Sequence, residues 1–212
     1  MRLDATSMLM KTAVSGFTLV ELIITLAIAS ILASIAAPAF SDFVQDTRIS
    51  SETNDIITDF YFARSEAVKR NRRVTICKSS NANSTDTIAT PIPSCNTIVD
   101  FNWTIGWIIF IDTDGDGVRD ANEVLLRANG GMDTGVLLYP RTADVNIRNY
   151  LSYNPRGIAR TSGGANQNGI FRVCDGRGLA SARAITVTQT GRVSSTAPTA
   201  GSAALIGACP PP

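Results

Sequence analysis

An apolar run follows a polar start at the N-terminal end of the chain. Residues 17–40 contain one charged residue, Glu21, whereas Arg2, Asp4 and Lys11 lie before them. As an α-helix, residues 17–37 are about 31 Å long, which matches the hydrocarbon thickness of a bilayer. We therefore predict a transmembrane helix over residues 17–40, with its charged N-terminal side toward the cytoplasm.

Apolar positions continue beyond Pro38 with a spacing of three and four. This spacing predicts an amphipathic continuation of the helix over residues 41–73, ending near Asn71. Pro38 removes one backbone donor, so we expect a kink or a local opening there. The predicted apolar stripe consists of Phe40, Phe43, Val44, Thr47, Ile57, Phe60, Tyr61, Arg64, Ala67 and Val68.

Short β-prone runs separated by turn residues follow from Val74 onward. They predict an α+β fold in which the long helix packs against antiparallel strands, with residues 74–212 as a β-rich globular domain. The predicted strands are Val74–Cys77, Trp107–Ile111, Val124–Arg127, Gly135–Tyr139, Asn146–Tyr153, Ile170–Cys174 and Arg183–Thr188. Residues 79–93 and 161–168 read as loops, and residues 194–202 as an irregular connection.

Glu21 is an unusual residue for the start of a membrane helix. An unpaired carboxylate at this depth costs on the order of 3 kcal/mol, so it needs a partner or a purpose. A plain membrane anchor that tolerates one acid near its end is the alternative. The small residue Gly16 precedes the apolar run, whereas an ordinary secretory peptide is cut after its apolar core. A cut after Gly16 would leave the helix on the mature protein.

The run Gly16-Phe17-Thr18-Leu19-Val20-Glu21 resembles the processing site of type IV prepilins and type II secretion pseudopilins. Pro38, the twenty-second residue after the cut, also matches their pattern. The resemblance implies that residues 1–16 are a leader, that a prepilin peptidase cuts after Gly16, and that Phe17 is N-methylated. We hypothesise that Glu21 of one subunit then pairs with the Phe17 amine of its neighbour during assembly.

Three further segments resemble the GspH/FimT group of minor pilins and pseudopilins. They are residues 63–77, 107–112 and 182–193. The resemblance implies a pilin-like fold, a single pass through the inner membrane and a periplasmic domain. It also implies a low-copy subunit in the tip or initiation complex of a type IV pilus or a type II secretion pseudopilus. Its partners would be other pilins or pseudopilins, with no small-molecule substrate.

Four cysteines lie beyond the apolar run, and the chain contains no histidine. Disulfides in an oxidising compartment are favoured over a four-thiolate zinc site, because no C-x-x-C pair is present. Three pairings exist on paper. Proximity favours Cys77 with Cys95, a loop worth about 3 kcal/mol on the chain-entropy model, which leaves Cys174 with Cys209.

Residues 112–123 match the twelve-residue EF-hand loop, with acids at positions 1, 3, 5 and 9, Gly at position 6 and Glu at position 12. The flanking runs read as strands, however, and Asp-Gly pairs also suit a tight hairpin turn. We favour the hairpin turn and keep Ca²⁺ binding at this loop as the alternative. No other metal or cofactor is expected.

Charge is distributed unevenly although the formal net charge is only +1. Residues 100–135 hold seven acids and two arginines, and residues 141–212 hold eight arginines and two aspartates. Arg177, Arg183 and Arg192 are candidate contacts to a DNA backbone, which would suit a minor pilin for DNA uptake in natural transformation. Solvated arginines, or arginines facing acidic lobes of neighbouring subunits, are favoured over DNA contacts. Gly191-Arg192 supplies only the first Arg of the Gly-Arg-x-Arg motif of DNA-uptake members.

Catalysis is not expected of this sequence. Without histidine, a Ser/His/Asp triad, a Cys/His pair and an H-E-x-x-H metal site are excluded. A phosphate-cradling G-x-x-x-x-G-K stretch is also absent from the sequence. Closely spaced carboxylates occur only in the Asp-rich loop, where turn formation explains them.

Overall fold

The computed structural model describes residues 16–84, 92–98, 102–197 and 207–209. The predicted leader before Gly16, part of the 79–93 loop and most of the 194–202 connection lie outside the described residues. The chain divides after Val44 into two units, residues 1–44 and residues 45–212. Each unit is described by itself below.

Helix α1 comprises Leu19–Arg70, which is close to the predicted range. The helix is continuous through Pro38. It ends in a Schellman motif, because Asn71 adopts the left-handed conformation (φ 51°) and the Arg72 N–H donates to the Ala67 carbonyl at 3.2 Å. This motif satisfies the last helical carbonyls and turns the chain toward the first strand.

Eight strands form two four-stranded antiparallel sheets in the second unit. The first sheet has the order β3-β2-β1-β5 and the second the order β4-β6-β7-β8. The strands are β1 Val74–Lys78, β2 Trp107–Ile111, β3 Leu125–Asn129, β4 Leu137–Pro140, β5 Tyr150–Tyr153, β6 Gly169–Cys174, β7 Arg183–Val187 and β8 Val193–Thr196. The predicted α+β fold, a long helix followed by antiparallel strands, is confirmed.

Two of the predicted segments differ from the structure. Residues 194–202 were expected to be irregular, but β8 pairs with β7 in the register Val187 to Val193. The strand predicted from Asn146 begins only at Tyr150, because Val145–Ile147 form a short 3₁₀ turn. Ser194, Ser195 and Thr196 carry little apolar signal, so the pairing of β8 depends on the neighbouring strand.

The buried stripe of α1 is shifted from the predicted one. Its members follow a four-three spacing and are Ile49, Thr53, Ile56, Phe60, Ala63 and Ala67. Of the predicted stripe, Phe60 and Ala67 are buried, whereas Tyr61 and Val68 face solvent. The prediction followed the largest apolar side chains, whereas the packed face also uses small and polar ones.

Three aromatic rings join the helix to both sides of the core. Phe60, Trp103 and Phe171 are fully buried, and the Phe171 ring centroid lies 5.2 Å from each of the other two. The Trp103–Phe171 pair is edge-to-face, an arrangement worth about 0.5–1.5 kcal/mol beyond its buried area. The core of this unit therefore centres on the second half of α1.

A buried carboxylate also ties the helix to the first sheet. Asp59 is 3% exposed and accepts hydrogen bonds from Trp107 Nε1 at 2.7 Å and from Arg127 Nη1 at 2.5 Å. The Arg127 guanidinium lies 4.0 Å from the centre of the Phe62 ring. One acid of α1 thus fixes β2 and β3 against the helix.

Candidate functional site

The start of α1 places Glu21 in a capping box with Thr18. The Thr18 backbone N–H and hydroxyl donate to Glu21 Oε2 at 3.1 and 3.0 Å, and the Glu21 N–H donates to Thr18 Oγ1 at 3.2 Å. A Ser or Thr followed three residues later by Glu satisfies two free donors of the first turn in this way. The carboxylate therefore has a partner within its own chain. The spacing of Thr18 and Glu21 is the sequence signal for this capping box.

The first half of α1 has the length and composition of a membrane-spanning helix. Its large apolar side chains are all exposed, with the Leu and Ile residues of 19–35 at 53–73%, and Phe17, just before the helix, is 86% exposed. Its hydroxyls are satisfied within the helix, since those of Ser30 and Ser34 donate to carbonyls three residues earlier. The segment is thus apolar on all sides, as a membrane anchor requires.

Both expected disulfides are present, and their pairing is confirmed. Cys77 bonds to Cys95, and Cys174 bonds to Cys209. The first bridge joins β1 to the segment after the 79–93 loop, and the second holds residues 207–209 against β6. Since all four thiols are consumed, a four-thiolate zinc site is ruled out.

The Asp-rich loop connects β2 to β3. These strands pair antiparallel, so the predicted hairpin is confirmed. The connection comprises residues 112–124 and is therefore not the tight turn that was expected. Gly115 and Gly117 adopt φ values of +82° and +86°, which L residues rarely adopt. This backbone conformation explains why a glycine follows the aspartate in each Asp-Gly pair.

Carboxylates converge at one side of this loop. Oxygens of Asp112, Asp114 and Asp116 lie within 4.8 Å of one another. Glu123, the last residue of the EF-hand pattern, accepts hydrogen bonds from the backbone N–H groups of Thr113 and Asp120. Asp112 and Glu123 are buried, and burial raises the pKa of both carboxyl groups.

The three arginines proposed as DNA contacts do not form one surface. Arg177 forms ion pairs with Asp175 and Asp46 at 2.7 and 2.9 Å, and Arg183 donates to the Ser50 hydroxyl at 2.8 Å. Arg192 instead lies in the exposed β7–β8 turn.

The β7–β8 turn contacts α1 much farther along the helix. Arg64 Nη2 donates to the Thr190 carbonyl of this turn. The helix positions Ser50 and Arg64 are about 21 Å apart at 1.5 Å per residue. Arg177 and Arg183 thus bind near the start of the globular unit, whereas Arg192 lies in a turn that contacts α1 nearer its end, so the structure does not bring the three together.

Two further arginines of the C-terminal third bind within the chain. Arg141 forms a bidentate pair with Asp144 at 3.0 and 3.1 Å. Arg172, which is 8% exposed, donates to the carbonyls of Pro140 and Ala208. These side chains support the fold and are not free for a phosphate backbone.

Parts of this chain are similar in sequence or structure to known proteins. A fimbrial protein of Neisseria meningitidis serogroup A is 31% identical over 78 residues, which are 34% of this chain and 46% of that protein. The chain thus spans less than half of that relative. Two crystal structures of the type IV minor pilin FimU of Pseudomonas aeruginosa have 18% identity and TM-scores of 0.47 and 0.49. They cover 69% and 72% of this chain and 91% and 90% of theirs.

Two family models match the chain, and each covers identifiable elements of the fold. The prokaryotic N-terminal methylation motif matches residues 11–37, which include the capping box and most of the apolar helix. The model of the type II transport protein GspH matches residues 52–191, which include residues 52–70 of α1 and seven of the eight strands. This second match covers more than half of the chain, so the chain belongs to the GspH family of minor pilins and pseudopilins.

Proposed function

We propose that this protein is a minor subunit of a type IV pilus or a type II secretion pseudopilus, built into the tip or initiation complex of the filament. The observation that carries the proposal is an exposed, membrane-length apolar helix that begins at a prepilin-type processing motif and continues into a GspH-family unit. The globular unit would lie in the periplasm, where its two disulfides are stable. Its role is structural and not catalytic.

Maturation is the first step of this proposal. A prepilin peptidase cuts after Gly16 and methylates Phe17, the first residue of the mature chain. Expression with and without the peptidase tests this step. With the peptidase, the mass of the membrane-extracted protein should decrease by that of residues 1–16 and increase by one methyl group. An unchanged mass would show that the protein is an anchored protein outside the pilin pathway.

Glu21 is the residue that we assign to assembly. Within one chain its partner is Thr18, which offers neutral donors. The Phe17 amine of a neighbouring subunit would add a charged donor, and charge-assisted hydrogen bonds are roughly twice as strong as neutral ones. Glu21→Ala should leave membrane insertion unchanged and reduce recruitment into the filament. Recruitment at the wild-type level would remove Glu21 from this role.

The type of filament requires a test in cells. Deletion of the gene should abolish or shorten surface pili if the subunit initiates a type IV pilus. It should instead retain normally secreted enzymes in the periplasm if the subunit belongs to a pseudopilus. Normal piliation together with normal secretion would contradict both roles.

Binding of DNA for uptake is the alternative function. Of the three predicted contacts, only Arg192 is exposed, so any retention of duplex DNA should be weak and salt-sensitive. Retention by the full-length protein in detergent, lost on Arg192→Ala, would support uptake. Lack of retention at low salt would remove this alternative.

A further inference from the structure

The outward face of α1 in the second unit changes from polar to apolar near its C-terminal end. One stripe of exposed positions follows a three-four spacing and consists of Ser51, Asn54, Thr58, Tyr61, Ser65 and Val68. Tyr61 is 44% exposed and Val68 is 53% exposed, while Ser65 between them is small. Together with the stems of Arg64 and Lys69, Tyr61, Ser65 and Val68 line a shallow groove of about 560 Å³ that is open to solvent. We call it the Tyr61 groove.

Hydrogen bonds to the first residue of β8 and to two neighbouring turns hold the side chains of the Tyr61 groove in place. The Tyr61 hydroxyl donates to the Val193 carbonyl at 2.5 Å. Arg64 Nε donates to the Gly157 carbonyl at 2.9 Å, and Arg64 Nη2 donates to that of Thr190 at 3.2 Å. Because both side chains are already ordered, a partner that binds here loses little affinity to side-chain entropy.

Glycine allows one of these turns to approach the groove closely. Gly157 has φ +71°, and a Cβ at this position would lie 3.0 Å from Arg64 Nε and 3.2 Å from a Val68 methyl group. A side chain at this position would therefore require Arg64 or Val68 to shift by a few tenths of an ångström, and the positive φ would strain it as well. The close approach keeps the Gly157 carbonyl within hydrogen-bond distance of Arg64, which lines the groove.

The charge around the Tyr61 groove is positive. The described residues that line it include Arg64 and Lys69 and no carboxylate. Arg156 and Arg192, in the two turns that contact the groove, are both exposed. Arg64 is bonded to carbonyls only, whereas Lys69 has Glu66 at 3.5 Å and a side chain that is 76% exposed. A complementary surface would present an apolar side chain flanked by carboxylates.

We propose that the Tyr61 groove docks a neighbouring filament subunit through a segment with an apolar side chain between carboxylates. This inference rests on the function proposed above and adds the surface through which the subunit contacts its neighbour. Ordered Tyr and Arg side chains are the residue types that dominate protein–protein contacts. Single-stranded nucleic acid could also use an aromatic ring among arginines. The exposed Val68 methyl groups and the Tyr61 ring among the lining residues favour a protein side chain.

The test uses the full-length protein in cells that make the filament. Val68→Asp places a carboxylate in the groove at an exposed position, so the fold should be retained. Its matched control is Thr58→Asp, on the same exposed stripe and outside the groove. We expect both variants to be cut after Gly16 and to reach the membrane. We also expect Val68→Asp to lower incorporation into sheared filaments by about tenfold and Thr58→Asp to leave it unchanged.

The outcomes separate this inference from the proposed function. Wild-type incorporation of Val68→Asp, or an equal decrease for Thr58→Asp, would overturn docking at the Tyr61 groove and leave the filament role intact. Absence of the wild-type protein from filaments would instead contradict the proposed function. A third arm measures retention of a single-stranded oligonucleotide by the full-length protein in detergent. Retention that Val68→Asp abolishes, with incorporation unchanged, would assign the groove to nucleic acid and overturn the proposal.

Discussion

Replacement of Asp59 by Ala should destabilise the second unit more than any change on the exposed face of α1. Asp59 is buried and accepts hydrogen bonds from Trp107 and Arg127. The Ala variant leaves the Trp107 N–H without its acceptor in a site where the indole is 1% exposed. It also separates Arg127 from its carboxylate while leaving the guanidinium over Phe62.

The expected loss follows from these two contacts. A buried donor without a partner costs about 1–3 kcal/mol. The Arg127 side chain is 41% exposed and can turn to water, so its loss of the pair adds about 1 kcal/mol or less. The sum is about 3 kcal/mol, which corresponds to a decrease in Tm of about 6–12 °C for a unit of this size.

Thermal unfolding of the full-length protein in detergent, followed by tryptophan fluorescence, measures this decrease. Asp59→Asn keeps an oxygen acceptor for Trp107 and should lose only about 1 kcal/mol. Asp55→Ala, at an exposed position one turn earlier on the same helix, should change the stability by less than about 0.5 kcal/mol. The reasoning fails if Asp59→Ala and Asp55→Ala unfold at the same temperature.

Three other predictions concern buried polar groups and the Asp-rich loop. The buried Tyr153 hydroxyl has no hydrogen-bond partner among the described residues, so Tyr153→Phe should raise the free energy of unfolding by about 1 kcal/mol. Chemical denaturation measures this free energy, and a lower value for Tyr153→Phe would show that the hydroxyl is bonded. Hydrogen bonding by Arg70 lowers the pKa of Glu66, so the pair stabilises the fold above the ordinary pKa of 4.5 and this contribution is lost as the pH falls through the lowered pKa. Glu66→Gln should therefore flatten the acid limb of a plot of Tm against pH, and parallel limbs would refute this. The calcium alternative predicts that millimolar CaCl₂ raises the Tm of the wild type but not of Asp114→Asn, and an unchanged wild-type Tm would leave the loop as a hairpin connection only.

The strands that sequence patterns predicted well are those with long apolar runs. The strand Trp107–Ile111 is buried at all five positions, so its sequence is a continuous apolar run and does not alternate between apolar and polar residues. The sequence does not indicate β8, because its residues are mostly polar and it forms a strand by pairing with β7 in the folded domain. The core face of α1 was misplaced because Thr53 and Ala63 pack there while the larger Tyr61 and Val68 remain outside.

Candidate site residues could be predicted where their chemistry is local. The Gly16 to Glu21 motif and the nearer cysteine pair depend on residues close in sequence, so spacing alone was informative. The positions of the arginines could not be predicted from spacing, because contacts with α1 hold Arg177 and Arg183 apart from Arg192. The bonds of Asp59 to β2 and β3 span 48 and 68 residues, and no pattern along the chain indicates them.

The two parts of α1 differ in how they expose their apolar side chains. Residues 45–70 bury a narrow stripe against their own sheets, whereas the large apolar residues of 17–44 are exposed. Soluble monomers rarely expose contiguous apolar surface of more than a few hundred Å², so lipid or other subunits must cover this segment. The capping box lowers the cost of Glu21 in lipid, because the Thr18 hydroxyl and N–H replace water as donors. A membrane-inserted chain can therefore hold this acid without a partner chain, and a neighbouring subunit would have to offer Glu21 a stronger donor than Thr18 for the proposed pairing to drive assembly.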